Sequence, residues 1–154
     1  MKQISAGVLC YKIENEQLYV LLGNAGGPYF ENKECWSIPK GLVEDAEEYE
    51  STARREFSEE TGNDLVVPLE FLAEVDQSSK KTVVCFIAMQ DIDISKFSSN
   101  YFDLEWPPQS GIIKSFPEIK EIKWMTIEDA KLKILKGQVP LIEKLETYLQ
   151  AKEK

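Results

Sequence analysis

Gly41-Leu42-Val43-Glu44-Asp45-Ala46-Glu47 and, after seven intervening residues, Arg55-Glu56-Phe57-Ser58-Glu59-Glu60-Thr61-Gly62 form the stretch on which the reading of this chain turns. Nothing between Glu47 and Glu60 breaks a helix, and Gly62 within Thr61-Gly62-Asn63 is a left-handed stop, so a helix is predicted over 47–60. At about 100° per residue, Glu56, Glu59 and Glu60 fall on one face, and Tyr49, Ala53 and Phe57 project roughly 20°, 60° and 100° from Glu56. The carboxylates therefore lie beside the apolar stripe that should pack on a sheet. They also occupy the last turns, where the helix dipole is negative, and Glu56 repels Glu60 at i, i+4. Residues 44–60 hold eight acidic and two basic side chains, so this segment carries most of the net charge. A solvated acidic face is the plain alternative. Partly shielded carboxylates at a helix C-terminus instead require a counter-ion. Oxygen donors without histidine point to a hard divalent cation, Mg²⁺ first and Mn²⁺ as a substitute.

Outward from that helix the chain reads as one domain over residues 1–154. Strands are predicted over Ile4–Ile13 and Gln17–Leu22 with a turn at Glu14-Asn15-Glu16, then over Leu69–Val75, Thr82–Met89 and Glu121–Met125. Asp91–Gly111, with its Trp106-Pro107-Pro108 break, reads as irregular. Thr126 reads as the N-cap of a helix over Ile127–Leu135, with Asp129 at the capping-box position and Gly137 as its stop, and Pro140 opens a last helix to about Gln150. Strands, helix, strands, helices is the order of an α/β domain whose sheet is covered on both sides.

Composition narrows the function. With 43% hydrophobic and 29% charged residues the chain is an ordinary globular one rather than a disordered one. Its 18 basic and 27 acidic residues give a net charge of −9, which argues against duplex DNA as a partner. The absence of histidine removes Ser-His-Asp and Cys-His nucleophiles and imidazole-ligated zinc. No apolar run approaches the roughly 20 residues that span a bilayer, so no membrane partner is expected. The stretch before Leu9 is too short and broken for a signal peptide and reads as strand. Cys10, Cys35 and Cys85 form no Cys-x-x-Cys pair, which argues against a disulfide framework and for the reducing cytoplasm.

The quoted stretch resembles the signature of the Nudix hydrolases. Gly41, Glu47, Arg55, Glu56, Glu59, Glu60 and Gly62 match its seven fixed positions at the family's spacing, over a box of 23 residues. Asn63 departs from it, since the family has an apolar residue there. The resemblance implies an α/β/α sandwich with a mixed sheet between helices, and hydrolysis of a nucleoside diphosphate linked to another group. It also implies that Glu56, Glu59 and Glu60 bind metal, that the Gly41 carbonyl is a further ligand, and that Arg55 orients a catalytic carboxylate with Glu47 as its partner. Such chemistry needs charge neutralised on phosphoryl oxygens and a water activated, and a carboxylate not spent on metal can take the water's proton. Glu59 or Glu60 is expected in that role.

The family commonly adds an acidic residue from a later loop. Glu118, six residues before Trp124, has the spacing of the extra metal-ligand glutamate in mutator-type nucleotide hydrolases, and Glu121 competes for the role. Lys40, beside the motif glycine, is the first choice for a phosphate contact, with Lys80, Lys81 and Lys114 as further candidates. Tyr29, Phe30, Trp36 and Trp106 stand in or near loops where a base could stack, although Trp36 and Trp106 could equally be loop anchors. Glu105–Gly111 and Ser115–Glu118 are similar to bacterial Nudix proteins described only as predicted nucleotide pyrophosphohydrolases. The tyrosine that marks one kind of dinucleoside-polyphosphate hydrolase is replaced by Ser79-Lys80-Lys81, and Ser78-Ser79 lacks the proline of ADP-ribose hydrolases. A small nucleotide, either a nucleoside triphosphate or a dinucleoside polyphosphate, is the expected substrate. An RNA 5′-end pyrophosphohydrolase and a non-catalytic nucleotide sensor are the alternatives, and a homodimer is compatible with the sequence.

Overall fold

The structure is a computed structural model that describes residues 2–153. Nine strands and three helices follow in the order β1 (Gln3–Glu14), β2 (Gln17–Ala25), β3 (Trp36–Ser37), β4 (Lys40–Leu42), α1 (Tyr49–Thr61), β5 (Glu70–Ser78), β6 (Lys81–Met89), β7 (Tyr101–Glu105), β8 (Ile113–Pro117), β9 (Ile119–Thr126), α2 (Ile127–Lys133) and α3 (Val139–Lys152). Seven strands make one mixed sheet, in which β1 pairs β6 in parallel and β2 antiparallel. The short β4 takes the edge of β1 that β2 leaves free, opposing Gly41 to Ala6, and β9 covers the far edge of β2.

Alternation along the central strands sends side chains to two separate cores. Val8, Cys10, Leu21, Val84 and Phe86 pack under Ala53 and Phe57 of α1. Leu9, Tyr11, Leu22, Val83 and Cys85 pack on the other face against Ala130 of α2 and Leu141, Ile142 and Leu145 of α3. A sheet with both faces covered needs exactly such two-sided apolar strands, and the result is the α/β/α sandwich that the sequence predicts. Among the described residues, no helix is long and apolar enough to cross a membrane.

Three expectations are corrected. Asp91–Gly111 is not irregular throughout: its residues Tyr101–Glu105 form β7, which pairs with β8 in a separate antiparallel ladder, from Tyr101 opposite Pro117 to Glu105 opposite Ile113. The Trp106-Pro107-Pro108 break is its loop. Gly137 does not stop α2, which ends at Lys133. It sits instead in a tight turn over Lys136–Gln138, where any Cβ would collide with the backbone of Gln77. Tyr49, on the apolar side of the wheel, is 42% exposed because it opens the first turn of α1, whereas Ala53 and Phe57 are fully buried.

Candidate active site

The site is assembled where β4 and α1 meet. The backbone from Pro39 to Leu42 is pressed against β1 so closely that a Cβ on Gly7 would strike the Pro39 carbonyl and Lys40. Val43 N–H donates to the Ile4 carbonyl (3.0 Å), which ends the pairing and releases the chain into the loop before α1. The Glu47 carboxylate accepts from Glu44 N–H (3.3 Å) and folds that loop back on itself. At the other end of α1, Gly62 takes φ 72° and its N–H donates to the Ser58 carbonyl, a left-handed stop with no basic residue in the last turn. Asn63 uses its polarity here: its Nδ2 donates to the Thr61 carbonyl at 3.0 Å, satisfying a helix-end acceptor.

Gly41 is glycine for a local reason. A Cβ there would overlap the carboxylate of Glu56, so the Glu56 head group lies directly on the Gly41 backbone. Arg55 is the hub of the remaining contacts. It grips Glu47 side-on, Nε to Oε2 at 3.0 Å and Nη2 to Oε1 at 3.1 Å. Its Nη1 reaches Glu56 at 3.0 Å and Glu59 at 3.1 Å. One guanidinium thus holds three carboxylates in a fixed fan. The bonds from Arg55 hold Glu47 down at about 2.

Glu60 is the opposite case. It is 8% exposed. Burial, opposed by the charge of Lys40 and reinforced by Glu56 and Glu118, pushes its carboxyl up to about 9. Glu56 is also raised, by burial first and by the charge of Glu59 next, against the pull of Arg55. The two carboxylates lie close enough for the charge of Glu56 to raise Glu60 further. Among the described residues no three such groups form a closed metal cage, and Arg55 bridges Glu56 to Glu59. The donor set nevertheless fits a hard divalent cation. It is all oxygen, it is held against a glycine backbone, and it contains one buried and one half-buried carboxylate whose charges repel.

Of the residues singled out from sequence, Lys40, Gly41, Glu47, Arg55, Glu56, Glu59, Glu60 and Glu118 come together here. Glu118 arrives through the backbone: its N–H donates to the Asn100 carbonyl (2.9 Å), and Asn100 N–H donates to the Glu59 carbonyl (2.8 Å). The competing Glu121 is spent on the buried Asn24, whose Nδ2 donates to it at 3.1 Å. Trp36 is not a stacking surface. It is 2% exposed, packed in the core beneath α2 and α3, with its indole N–H donated to Glu34. Lys81 is not a phosphate contact either. It begins β6 opposite Gln3, three residues along β1 from the Gly41 pairing, and alternates with Val83 and Cys85 toward the α3 face. Lys80 lies at the adjoining turn. Tyr29 is 60% exposed and stands edge-on to Trp106 (ring centroids 5.2 Å apart).

One residue that supports the site had no sequence signal. Gln138 is fully buried and accepts from Ile38 N–H (3.1 Å) while donating to Ser37 Oγ (3.1 Å) and Gln77 Oε1 (2.8 Å). It pins the segment that leads into Lys40-Gly41. Its partners lie about 60 and 100 positions away in the chain, so no local pattern marks it.

The loop, the helix and the carboxylate fan converge on one acidic site. A NUDIX domain model matches residues 1–145, and the chain belongs to the Nudix family. Nudix hydrolase 7 of Arabidopsis thaliana is 26% identical over 111 residues, covering 68% of this chain; the chain spans 39% of that relative's length. Among solved structures, the NUDIX domain of Shewanella oneidensis NrtR in complex with ADP ribose matches with a TM-score of 0.69 at 18% identity, covering 97% of this chain and 89% of that one. The Ap4A hydrolase of C. elegans, in a binary complex, matches with a TM-score of 0.68 at 22% identity, covering 97% and 98%.

Proposed function

We propose that this chain is a Mg²⁺-dependent pyrophosphohydrolase. Its substrate is a nucleoside diphosphate linked to another moiety, first a nucleoside triphosphate or a dinucleoside polyphosphate. The observation that carries this reading is the Glu56–Glu60 pair, with the Glu56 carboxylate laid on the Gly41 backbone and Glu60 buried on the same helix face. Membership of the Nudix family supports it, as does likeness in fold to an Ap4A hydrolase and to an ADP-ribose-bound domain. The three cysteines are free, in keeping with a cytoplasmic enzyme.

Glu56, Glu60 and the Gly41 backbone, with Glu59 and Glu118 at the rim, would hold the cation, Mg²⁺ or Mn²⁺. When bound, the cation neutralises phosphoryl charge and acidifies a water. Lys40, beside Glu60, offers a positive contact to the phosphate chain. Arg55 keeps Glu59 and Glu56 in place and is itself oriented by Glu47. The water oxygen bonds to phosphorus, and its proton passes to Glu59, the carboxylate with a 40% exposed side chain, or to Glu60. The bridging oxygen leaves with its bonding pair on the second phosphate.

The test is a hydrolysis screen with and without Mg²⁺ or Mn²⁺, with products resolved. It covers nucleoside triphosphates, dinucleoside polyphosphates, nucleotide sugars, ADP-ribose, NADH, coenzyme A and 5′-triphosphorylated RNA. Turnover that requires the cation and is lost in Glu59→Gln or Glu60→Gln supports the reading. Nucleotide binding without turnover on any of them replaces it with a sensor.

A further inference from the structure

Close to Glu118 lies a cavity of about 390 Å³ that the phosphate chemistry leaves unused. Both of its walls start at Glu118. One is the loop after β2, where Gly26 N–H donates to the Glu118 carbonyl at 2.8 Å and the next residues, Gly27 and Pro28, line the cavity. The other is the β7–β8 hairpin, which supplies Trp106, Lys114 and Phe116, the last only two residues before Glu118. A ligand with phosphates at the carboxylates and a ring reaching past Glu118 therefore enters this space.

The cavity is shaped before any ligand arrives. Trp106 N–H donates to the Ile112 carbonyl (2.9 Å), and the Glu105 carboxylate accepts from the N–H groups of Gln109 and Gly111 (both 3.1 Å), closing the hairpin tip. The edge of Tyr29 supports the indole at an interplanar angle of 78°. Gly27, at φ 94°, lies so close to the Phe102 ring that a Cβ would approach it to 2.8 Å. Lys120 ties the same loop to β9, its Nζ donating to the carbonyls of Phe30 (2.7 Å) and Lys33 (2.8 Å). The Lys120 ammonium is thus engaged. Among the described residues, no hydrogen bond or ion pair engages that of Lys114.

We propose that this cavity is the nucleobase subsite, with the base stacked on Trp106 and Phe116. Lys114 donates to a ring acceptor of the base. Glu31, which also lines the cavity, accepts from an exocyclic amino group. Two aromatic walls with a few convergent polar groups in a preformed cleft are what such a ring requires. The assignment rests on the pyrophosphohydrolase reading for the direction in which the ligand extends.

The test uses ligands without an anhydride, so that it is independent of turnover. The full chain is titrated by calorimetry with AMP, GMP, CMP, UMP and ribose 5-phosphate. At least one nucleotide is expected to bind about tenfold more tightly than the base-free sugar phosphate, as one base–aromatic stack implies. Trp106→Ala should abolish that preference and Trp106→Phe should retain most of it. Phe71→Ala, an exposed aromatic on β5, should leave it intact. Equal affinity for all five ligands in the unaltered chain, or an unchanged preference in Trp106→Ala, overturns the proposal. Failure of the hydrolysis screen with this pattern intact would instead remove the enzymatic reading and leave the subsite standing.

Discussion

The last two turns of α1 and the β7–β8 hairpin are both tied to Glu118, the helix through Asn100 and the hairpin along the chain, and they are held together in different ways. In α1, charged groups that repel one another are packed side by side, and one guanidinium holds three of them. At the hairpin tip, backbone N–H groups meet a carboxylate or a carbonyl, and an indole rests on a tyrosine edge. The first region carries more negative charge than its one guanidinium offsets. The second has its polar groups paired before any ligand arrives. Damage to the helix should therefore appear in the rate of chemistry, and damage to the hairpin in affinity.

The largest effect expected from that division is on turnover. Glu56→Gln, Glu59→Gln and Glu60→Gln should each lower kcat by about a hundredfold or more. Steady-state kinetics on the best substrate of the screen would check this. A variant that changed KM alone would erase the distinction between the two regions.

Arg55 comes next. Arg55→Lys keeps the charge but loses the side-on grip on Glu47, and should cost about ten- to a hundredfold in kcat. Glu47→Gln should cost a similar amount, and the double variant little more than either, because both changes release the same fan. Additive losses in that cycle would mean that Glu47 and Arg55 act separately.

A stability measurement sharpens the same contrast. Gln138→Ala removes the partner of the buried Ile38 N–H and should lower unfolding free energy by about 1–3 kcal/mol, read by urea denaturation. Within the site, pH should act in opposite senses on two carboxylates. In cation-free protein the folded value for Glu60 is about 9, against an ordinary 4.5. The folded state then keeps a proton that the unfolded chain has already lost, so stability falls as pH rises from about 4.5 to about 9. Glu47, held at about 2, contributes stability above its ordinary 4.5 that is lost as pH falls toward 2. Denaturation midpoints in a chelator at pH 5 and pH 8.5 test the first statement. In Glu60→Gln the alkaline decline should flatten.

The two regions also differ in how far the sequence reveals them. The carboxylates of α1 are separated by three and four positions, so helical periodicity alone places them together, and the dipole and like-charge arguments mark them as costly. The pairing of β1 with β2 is legible for a related reason: β1 is rich in strand formers, β2 alternates at Leu18, Val20 and Leu22, and the turn residues Asn15 and Glu16 take positive φ between them. The hairpin lacks such a mark. β7 and β8 stand apart from the main sheet with much of their surface in solvent, so burial does not impose a sharp pattern, and Trp106-Pro107-Pro108 reads as a break when it is a loop. Trp36 misleads in the other direction. It sits among loop residues in the sequence, yet its two-residue strand carries it into the core. Lys81 has the right chemistry at the wrong end of β6, a fact set by strand register rather than by composition.

The smallest expected effect concerns the one position where the box departs from its family. The family has an apolar residue where this chain has Asn63. Its side chain donates to the Thr61 carbonyl, which also accepts from Ser98 N–H at 3.1 Å. That carbonyl lies two residues from the Glu59 carbonyl, which holds Asn100 and through it Glu118. Asn63 therefore stiffens the joint between the two regions while touching neither set of working groups. Asn63→Leu trades one hydrogen bond for apolar contact and should lower unfolding free energy by about 0.5–1 kcal/mol. In a chain of this size that is a fall in Tm of about 1–4 °C, readable by calorimetry. If the joint is as described, kcat should drop modestly and KM should stay fixed, because in the proposed mechanism Glu118 stands at the rim of the working carboxylates. A rise in Tm would show that the apolar residue closes the helix better, and that the anchor to Glu118 rests on Asn100 alone.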